Sequence, residues 1–230
     1  MIPNERFMRR FFKFAGLFLG LLIVAAFLYG GKGYWDALSD APQLRQRADD
    51  LIAQGRGRDS LGAEHLAILL KVEDPNFASH DGVDFSTAGA GATTITQSAS
   101  KRLAFKKFHP GIGKIRQTGY AMGLESRLSK AQILALWLDT LEMGEGPEGW
   151  MTGFHKASSA IYGRPPGELS NSEFIRLVAV LIAPGSYKLR ENDTALDERV
   201  GRIERLVAGS CTPQGLGDVW LNGCRQPSGS

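Results

Sequence analysis

The sequence predicts a mainly α-helical domain behind a single N-terminal membrane-spanning helix. Three observations carry that expectation. Apolar residues recur at helical spacing through most of the chain beyond residue 39. Several of these stretches open on a Ser, Thr or Asp cap and stop at Gly or Pro. Residues 14–30, FAGLFLGLLIVAAFLYG, hold no charge. No alternation with a period of two lasts long enough to mark a strand, and no internal repeat is present.

The uncharged run is the first element. Extended to Phe11 across Lys13 it reaches about 20 residues, enough to cross a hydrocarbon core. Arg6, Arg9, Arg10 and Lys13 precede or enter it, and Lys32 and an acid-containing stretch follow. The positive-inside bias then places the N-terminus in the cytoplasm and the chain from about residue 33 outside. Tyr29, Tyr34 and Trp35 suit the outer interface belt. The alternative is a cleaved signal peptide, but Ala25-Ala26-Phe27 is a poor cleavage site and the apolar run exceeds a usual signal core.

The helices follow in order. Ser39-Asp40 and Pro42 open an amphipathic stretch to residue 54, and Gly55 to Gly62 is a polar break. Residues 63–73 carry Leu66, Leu69, Leu70 and Val72, and Pro75 ends that helix. Residues 76–92 read as loop. Thr93 or Thr94 caps a short helix to about 104, and the basic, glycine-containing 105–113 is loop again. A helix over 114–128 carries Ile115, Met122, Leu124 and Leu128. Ser129 caps the next, with Ile133, Leu134, Trp137, Leu138 and Leu141 on one face. Gly144 to Gly153 reads as a break, and Lys156 to Tyr162 as a short helix. Ser170 and Glu173 form a capping-box pattern before an apolar helix that stops at Pro184. Leu196, Val200, Ile203, Leu206 and Val207 mark a last amphipathic helix, and the final 20 or so residues look irregular.

Composition removes several function classes. A net charge of +3 is too mild for a nucleic-acid binder. Two cysteines exclude a disulfide-dense scaffold and a four-cysteine zinc site. Cys211 and Cys224 could pair in an oxidising compartment and close a loop of about 14 residues, for about 3 kcal/mol in the chain-entropy model. The alternative is two unpaired residues in a ragged tail.

Two segments could carry chemistry. The first, EDPNFASHDGVD over residues 73–84, packs Glu73, Asp74, His80, Asp81 and Asp84 together. Glu73 falls at a helix C-terminus, where the dipole and burial both disfavour its charge and raise its pKa toward a general base's range. The competing reading is a solvated acidic loop, and the spacing does not match an EF-hand. The second, GATTITQSASK over 91–101, clusters hydroxyls at a helix N-terminus with Lys101 two turns on. That pattern suits phosphate, or is simply capping. Lys101, Arg102, Lys106, Lys107, His109, Lys114 and Arg116 follow, which would suit a diphosphate or an anionic membrane surface, or form a solvated face.

Taken in order, EDxxFxxHxGxD, GxxTITQxxxK, a helix ending Leu124-Glu125, SKxxILxxxL with Glu142 and Gly144, and GxxxAxxxIYG resemble the peptidoglycan glycosyltransferases of family 51. The resemblance covers about residues 62–190. An anchor before it and no transpeptidase-like half after it match the monofunctional, membrane-bound members. It implies a lysozyme-like, mainly α fold lying against the membrane. It implies glycan-strand polymerisation from lipid II, in which an acceptor 4-hydroxyl attacks a lipid-pyrophosphate-linked sugar with inversion. The expected organisation is a basic tail and anchor over 1–32, a helical linker over 33–61, the glycosyltransferase-like domain over 62–208, and an irregular tail over 209–230.

By the motif match Glu73 would be the general base. Asp74, Phe77 and His80 would shape its loop, and Thr93, Gln97 and Lys101 would line the site toward the donor's phosphates. Implied partners are a lipid-linked disaccharide-peptide substrate, the inner (cytoplasmic) membrane and other cell-wall synthesis proteins, with no nucleic acid. The soluble part would be periplasmic. The resemblance implies no definite cofactor and leaves a divalent cation as an open option. The chain also departs from the family pattern. The second catalytic glutamate falls on Gln117, the phosphate-binding arginine on His109, and the Arg of an Arg-Lys pair on Gly113, leaving Lys114. Ser98 and Asp139 replace a Gln and an Asn, and the stretch between Glu73 and Thr93 is short. Gln cannot carry charge or transfer a proton. Glu125, two turns beyond Gln117, could share its face. Three readings follow: a divergent active polymerase, a weak or inactive relative acting as a membrane-anchored binding or scaffold protein, and, least favoured by these motifs, a glycan-cleaving enzyme.

Overall fold

The computed structural model describes residues 5–226. Residues 1–4 and 227–230, the extremities of the basic tail and of the C-terminal tail, lie outside the described residues, as do the side chains of Glu5, Arg6 and Phe7.

Helix α1 runs unbroken over Glu5–Ala53. The separate helix expected to start at Ser39-Asp40 does not exist. Those residues lie inside α1, and Asp40 accepts a hydrogen bond from the Tyr120 hydroxyl at 2.7 Å instead of capping. Pro42 removes one helical hydrogen bond but does not break α1, because buried Ala37, Ala41 and Ala48 pack on either side of it. Over its first half α1 exposes its apolar side chains, among them Phe14, Leu17, Leu21 and Phe27. It is long and apolar enough to cross a membrane.

The second half of α1 lies against α4 (Gly113–Glu125). The approach is close because both faces carry glycine. A Cβ on Gly119 would sit 1.9 Å from the Gly30 carbonyl oxygen, and one on Gly33 would sit 2.2 Å from that of Arg116. Asp36 accepts from Arg116 Nη2 at 2.7 Å, and the two guanidinium and ammonium neighbours, Arg116 and Lys32, hold the Asp36 carboxyl below its usual range against the effect of its own burial. The candidate membrane helix is therefore joined to the domain without a hinge.

A 3-10 turn over Arg58–Leu61 leads into α2 (Gly62–Glu73). A long loop connects α2 to α3 (Ile95–Ala104). Helix α5 (Lys130–Thr140) is central, with Ile133 through Leu138 all buried. Each of Ile133, Leu134, Leu136 and Leu138 contributes roughly 1.5–3 kcal/mol of burial. Helices α6 (Phe154–Tyr162), α7 (Asn171–Val180) and α8 (Thr194–Val207) complete the domain. Thr94 caps α3, and Ser129 with Gln132 and Ser170 with Glu173 close two capping boxes.

The expected break after α5 is instead an antiparallel hairpin of β1 (Glu142–Gly146) and β2 (Gly149–Thr152), with a register shift between Glu142 and Gly144. The segment EMGEG has low intrinsic strand preference, so its neighbours decide the conformation. Met143 and Met151 are buried, and a Cβ on Gly144 would meet the Pro184 carbonyl oxygen at 2.5 Å, so only glycine fits that turn of chain. Beyond α8, Cys211 and Cys224 form a disulfide with Cα atoms 5.2 Å apart.

Candidate active site

Glu73 is the last residue of α2, and Asp74 follows as its C-cap before Pro75 stops the helix. The Glu73 carboxyl lines a cavity of about 330 Å³ together with Thr93, Ser98, Trp137, Arg199 and Val219. Burial pushes its pKa from 4.5 up to about 7; Arg199 and Arg102 pull it down and Asp74 pushes it further up. A carboxyl in that state is half deprotonated near neutral pH, as a general base requires.

Asp74 does not face the cavity. It is 2% exposed and ties the loop together. The Ile95 N–H donates to Asp74 Oδ2 at 2.9 Å, joining the end of α2 to the start of α3. His80 Nε2 lies 2.9 Å from the same oxygen, and His80 Nδ1 accepts from the Gly82 N–H at 3.0 Å, which puts the imidazole proton on Nε2. Phe77 is buried beside His80, with Lys130 Nζ 4.7 Å from its ring centroid. Glu125 faces this loop and not the cavity: it accepts from Lys130 Nζ at 2.7 Å and Thr96 Oγ1 at 2.5 Å.

Gln97 and Gln117 are buried between α3 and α4. Gln117 Nε2 donates to the Gln97 carbonyl oxygen at 2.6 Å, and Gln97 Nε2 donates to Thr118 Oγ1 at 3.1 Å. Neither lines the Glu73 cavity. The glutamine at the expected second-carboxylate position thus works as a clasp between two helices, turned toward a backbone carbonyl.

The basic run divides. Lys114 Nζ donates to Thr93 Oγ1 at 2.8 Å, and Thr93 also lines the Glu73 cavity. Burial and the nearby Lys101 ammonium lower the Lys114 pKa. Lys101 Nζ is 5.3 Å from the Phe108 ring centroid. Lys106, Lys107 and His109 are exposed on the following loop. Arg116 is spent on Asp36. Arg102 turns inward, donating to Ser98 and lying near Glu73 and Glu142.

Arg199 is the residue that sequence reasoning missed. It is 4% exposed on α8, and its Nε and Nη1 have no hydrogen-bond partner. The signal was available: Leu196, Arg199, Val200 and Ile203 share one helical face, and a charge on an apolar face is unusual. A larger cleft of about 970 Å³ opens beside the hairpin, lined by Arg56, Trp150 and His155, but it contains none of the expected site residues. Among the described residues no group of three His, Cys, Asp or Glu side chains could hold a metal ion. Gln117 itself offers a cation no carboxylate.

The transglycosylase family model matches residues 58–207. A biosynthetic peptidoglycan transglycosylase of Marinomonas sp. (strain MWYL1) is 32% identical over 152 residues, covering 61% of this chain and 65% of that protein. One from Shewanella amazonensis is 29% identical over 159 residues, covering 64% and 63%. Penicillin-binding protein 1B of Escherichia coli (strain K12) is 28% identical over 152 residues, 60% of this chain and 18% of that protein. The matched region spans slightly less than two thirds of the first two relatives. The family model matches well over half of the chain, the fold is mainly helical, and the chain belongs to the transglycosylase family.

Proposed function

We propose that the protein polymerises peptidoglycan glycan strands from lipid II. The observation that carries this reading is a base-like carboxyl, Glu73, in a cavity it shares with Thr93, whose hydroxyl accepts from the Lys114 ammonium. Glu73 takes the proton from the acceptor sugar's 4-hydroxyl as that oxygen attacks the donor's anomeric carbon from the face opposite the leaving group. The bond from that carbon to the pyrophosphate oxygen breaks, and the lipid pyrophosphate leaves with the electron pair. Lys101, Lys114 and the Thr93 hydroxyl meet the charge on the departing phosphates. A pyrophosphate is a good leaving group, so the reaction does not depend on a second protonating side chain. Asp74, Phe77 and His80 hold the loop that sets Glu73, and His109 lies on the exposed loop beyond Lys101, on the side of the departing phosphates.

The chain is single-pass, with its N-terminus cytoplasmic and the cavity on the periplasmic face of the inner membrane, where the lipid-linked disaccharide-peptide is presented. The hinge-free junction of α1 with α4 supports a site held close to that membrane. A second reading, a weak or inactive binding protein of the cell-wall machinery, is favoured by one observation: Gln117 is buried against a carbonyl and offers the cavity nothing.

The test is lipid II polymerisation by the purified full-length protein in detergent, beside Glu73→Gln and Lys114→Ala. Chains from the wild type, abolished in Glu73→Gln and slowed in Lys114→Ala, support the polymerase. No chains under conditions in which a related enzyme works refute it and leave the binding reading.

A further inference from the structure

The segment beyond α8 is more than a tail. The disulfide closes residues 211–224 into a loop whose interior is fully organised. Asp218 accepts from the backbone N–H groups of Gln214 at 3.0 Å, Asn222 at 2.6 Å and Gly223 at 2.9 Å. Leu221 and Cys224 are buried. Helix α8 pins the loop from below: Arg202 Nη1 donates to the Trp220 carbonyl at 3.1 Å and Arg205 Nε to that of Cys224 at 2.7 Å.

The loop's other side meets the segment that leads into α3. The Gly89 N–H donates to the Gly215 carbonyl at 2.9 Å, and the Gly91 N–H to that of Leu216 at 3.0 Å. Both glycines have positive φ, and a Cβ would strike Pro213 from Gly89 at 2.5 Å and Val219 from Gly91 at 2.7 Å. Val219 reaches past them to line the cavity that holds Glu73 and Arg199.

We propose that the disulfide-closed loop 211–224 is a positioning element of the Glu73 cavity, fixing residues 89–91 and supplying the cavity's outer wall through Val219. The catalytic consequence rests on the polymerase reading; the wall itself does not. With the wall in place the partly buried carboxyl lies among Asp74 on its own loop, Arg102 from α3 and Arg199 from α8, with Glu142 beside Arg102 and Asp218, Arg202 and Tyr187 beside Arg199. With the wall released, water enters, the carboxylate is better solvated and its pKa falls. The long connection between α2 and α3 holds no helix or strand of its own, so its 89–91 segment takes this support from outside.

Hydrogen exchange of the full-length protein in detergent tests the wall directly. The intact disulfide is compared with the form reduced by dithiothreitol, which delivers two electrons and two protons to give two thiols, and with the reoxidised protein. We expect exchange at Gly89 and Gly91 to quicken at least about tenfold on reduction, with the α5 amides unchanged, and to return on reoxidation. Unchanged exchange at Gly89 and Gly91 overturns the inference. Equal quickening throughout α5 also overturns it, because the bond is then a general staple and not a local support. Val219→Ser keeps the disulfide and reads function: its kcat for lipid II polymerisation falls about tenfold with KM nearly unchanged, and the acid limb of its pH profile moves lower. A kcat and profile equal to wild type overturn the positioning role. A wild type that makes no chains refutes the polymerase reading, and exchange alone then decides the wall.

Discussion

Replacing Glu73 by Gln should stabilise the protein at alkaline pH while abolishing its activity. The side chain sits in a cavity that raises its pKa from 4.5 to about 7, with burial as the largest cause. The folded protein therefore holds the Glu73 proton more tightly than the unfolded chain does. This stabilisation is fully present below pH 4.5 and is lost as pH rises through 7. At about 1.4 kcal/mol per pKa unit, the ionised carboxylate makes the fold about 3 kcal/mol less stable at pH 8 than the neutral acid would. Gln imitates the neutral acid in shape and lacks the titration. Glu73→Gln should thus match wild type near pH 4 and exceed it by about 3 kcal/mol at pH 8. For a chain of this size the gain corresponds to about 6–12 °C in Tm. Thermal unfolding of both proteins in detergent, followed by circular dichroism across that pH range, measures it. Equal stability at pH 8, or a difference that does not vary with pH, would refute the claim that cavity burial tunes this group.

Other consequences are as specific. Gln117→Glu places a carboxylate against the Gln97 carbonyl in place of an N–H donor, so denaturant unfolding should show a loss of about 1–3 kcal/mol, and polymerisation should not improve. Asp74→Ala leaves the Ile95 N–H and the His80 ring without their acceptor; a loss of about 2–4 kcal/mol in denaturant unfolding, with polymerisation reduced, is the expected result. Gly119→Ala drives a methyl into the Gly30 carbonyl and should prise α1 from α4, lowering stability by about 1–3 kcal/mol and increasing proteolysis between the anchor and the domain.

Much of the fold was legible because it rests on local chemistry. The uncharged run, the caps at Thr94, Ser129 and Ser170 and the spacing of apolar residues in α5, α7 and α8 are properties of neighbouring residues, and each element begins where those signals place it, though α7 ends at Val180, short of the expected stop at Pro184. The failures share one cause. Ser39-Asp40-Pro42 is a good local start signal, yet packing on α4 keeps α1 continuous through it. The glycine-rich 142–152 looks like a break, yet buried methionines make it a hairpin. In both places tertiary burial outweighs propensity differences of about 1 kcal/mol.

The site divides in the same way. The sequence alone identified Glu73 as a carboxyl at a helix C-terminus and Lys101 beyond a hydroxyl-rich helix start, because both follow from helix dipoles and spacing along one chain. The tertiary structure decided everything that depends on which segments meet. It turned Gln117 onto a carbonyl, committed Glu125 to Lys130, sent Arg102 inward, brought Arg199 from α8 toward Glu73, and laid Val219 over the same cavity. Those residues are far apart in sequence, and what draws them together is burial against a shared core, whose free energy belongs to the whole fold and to no single segment of it.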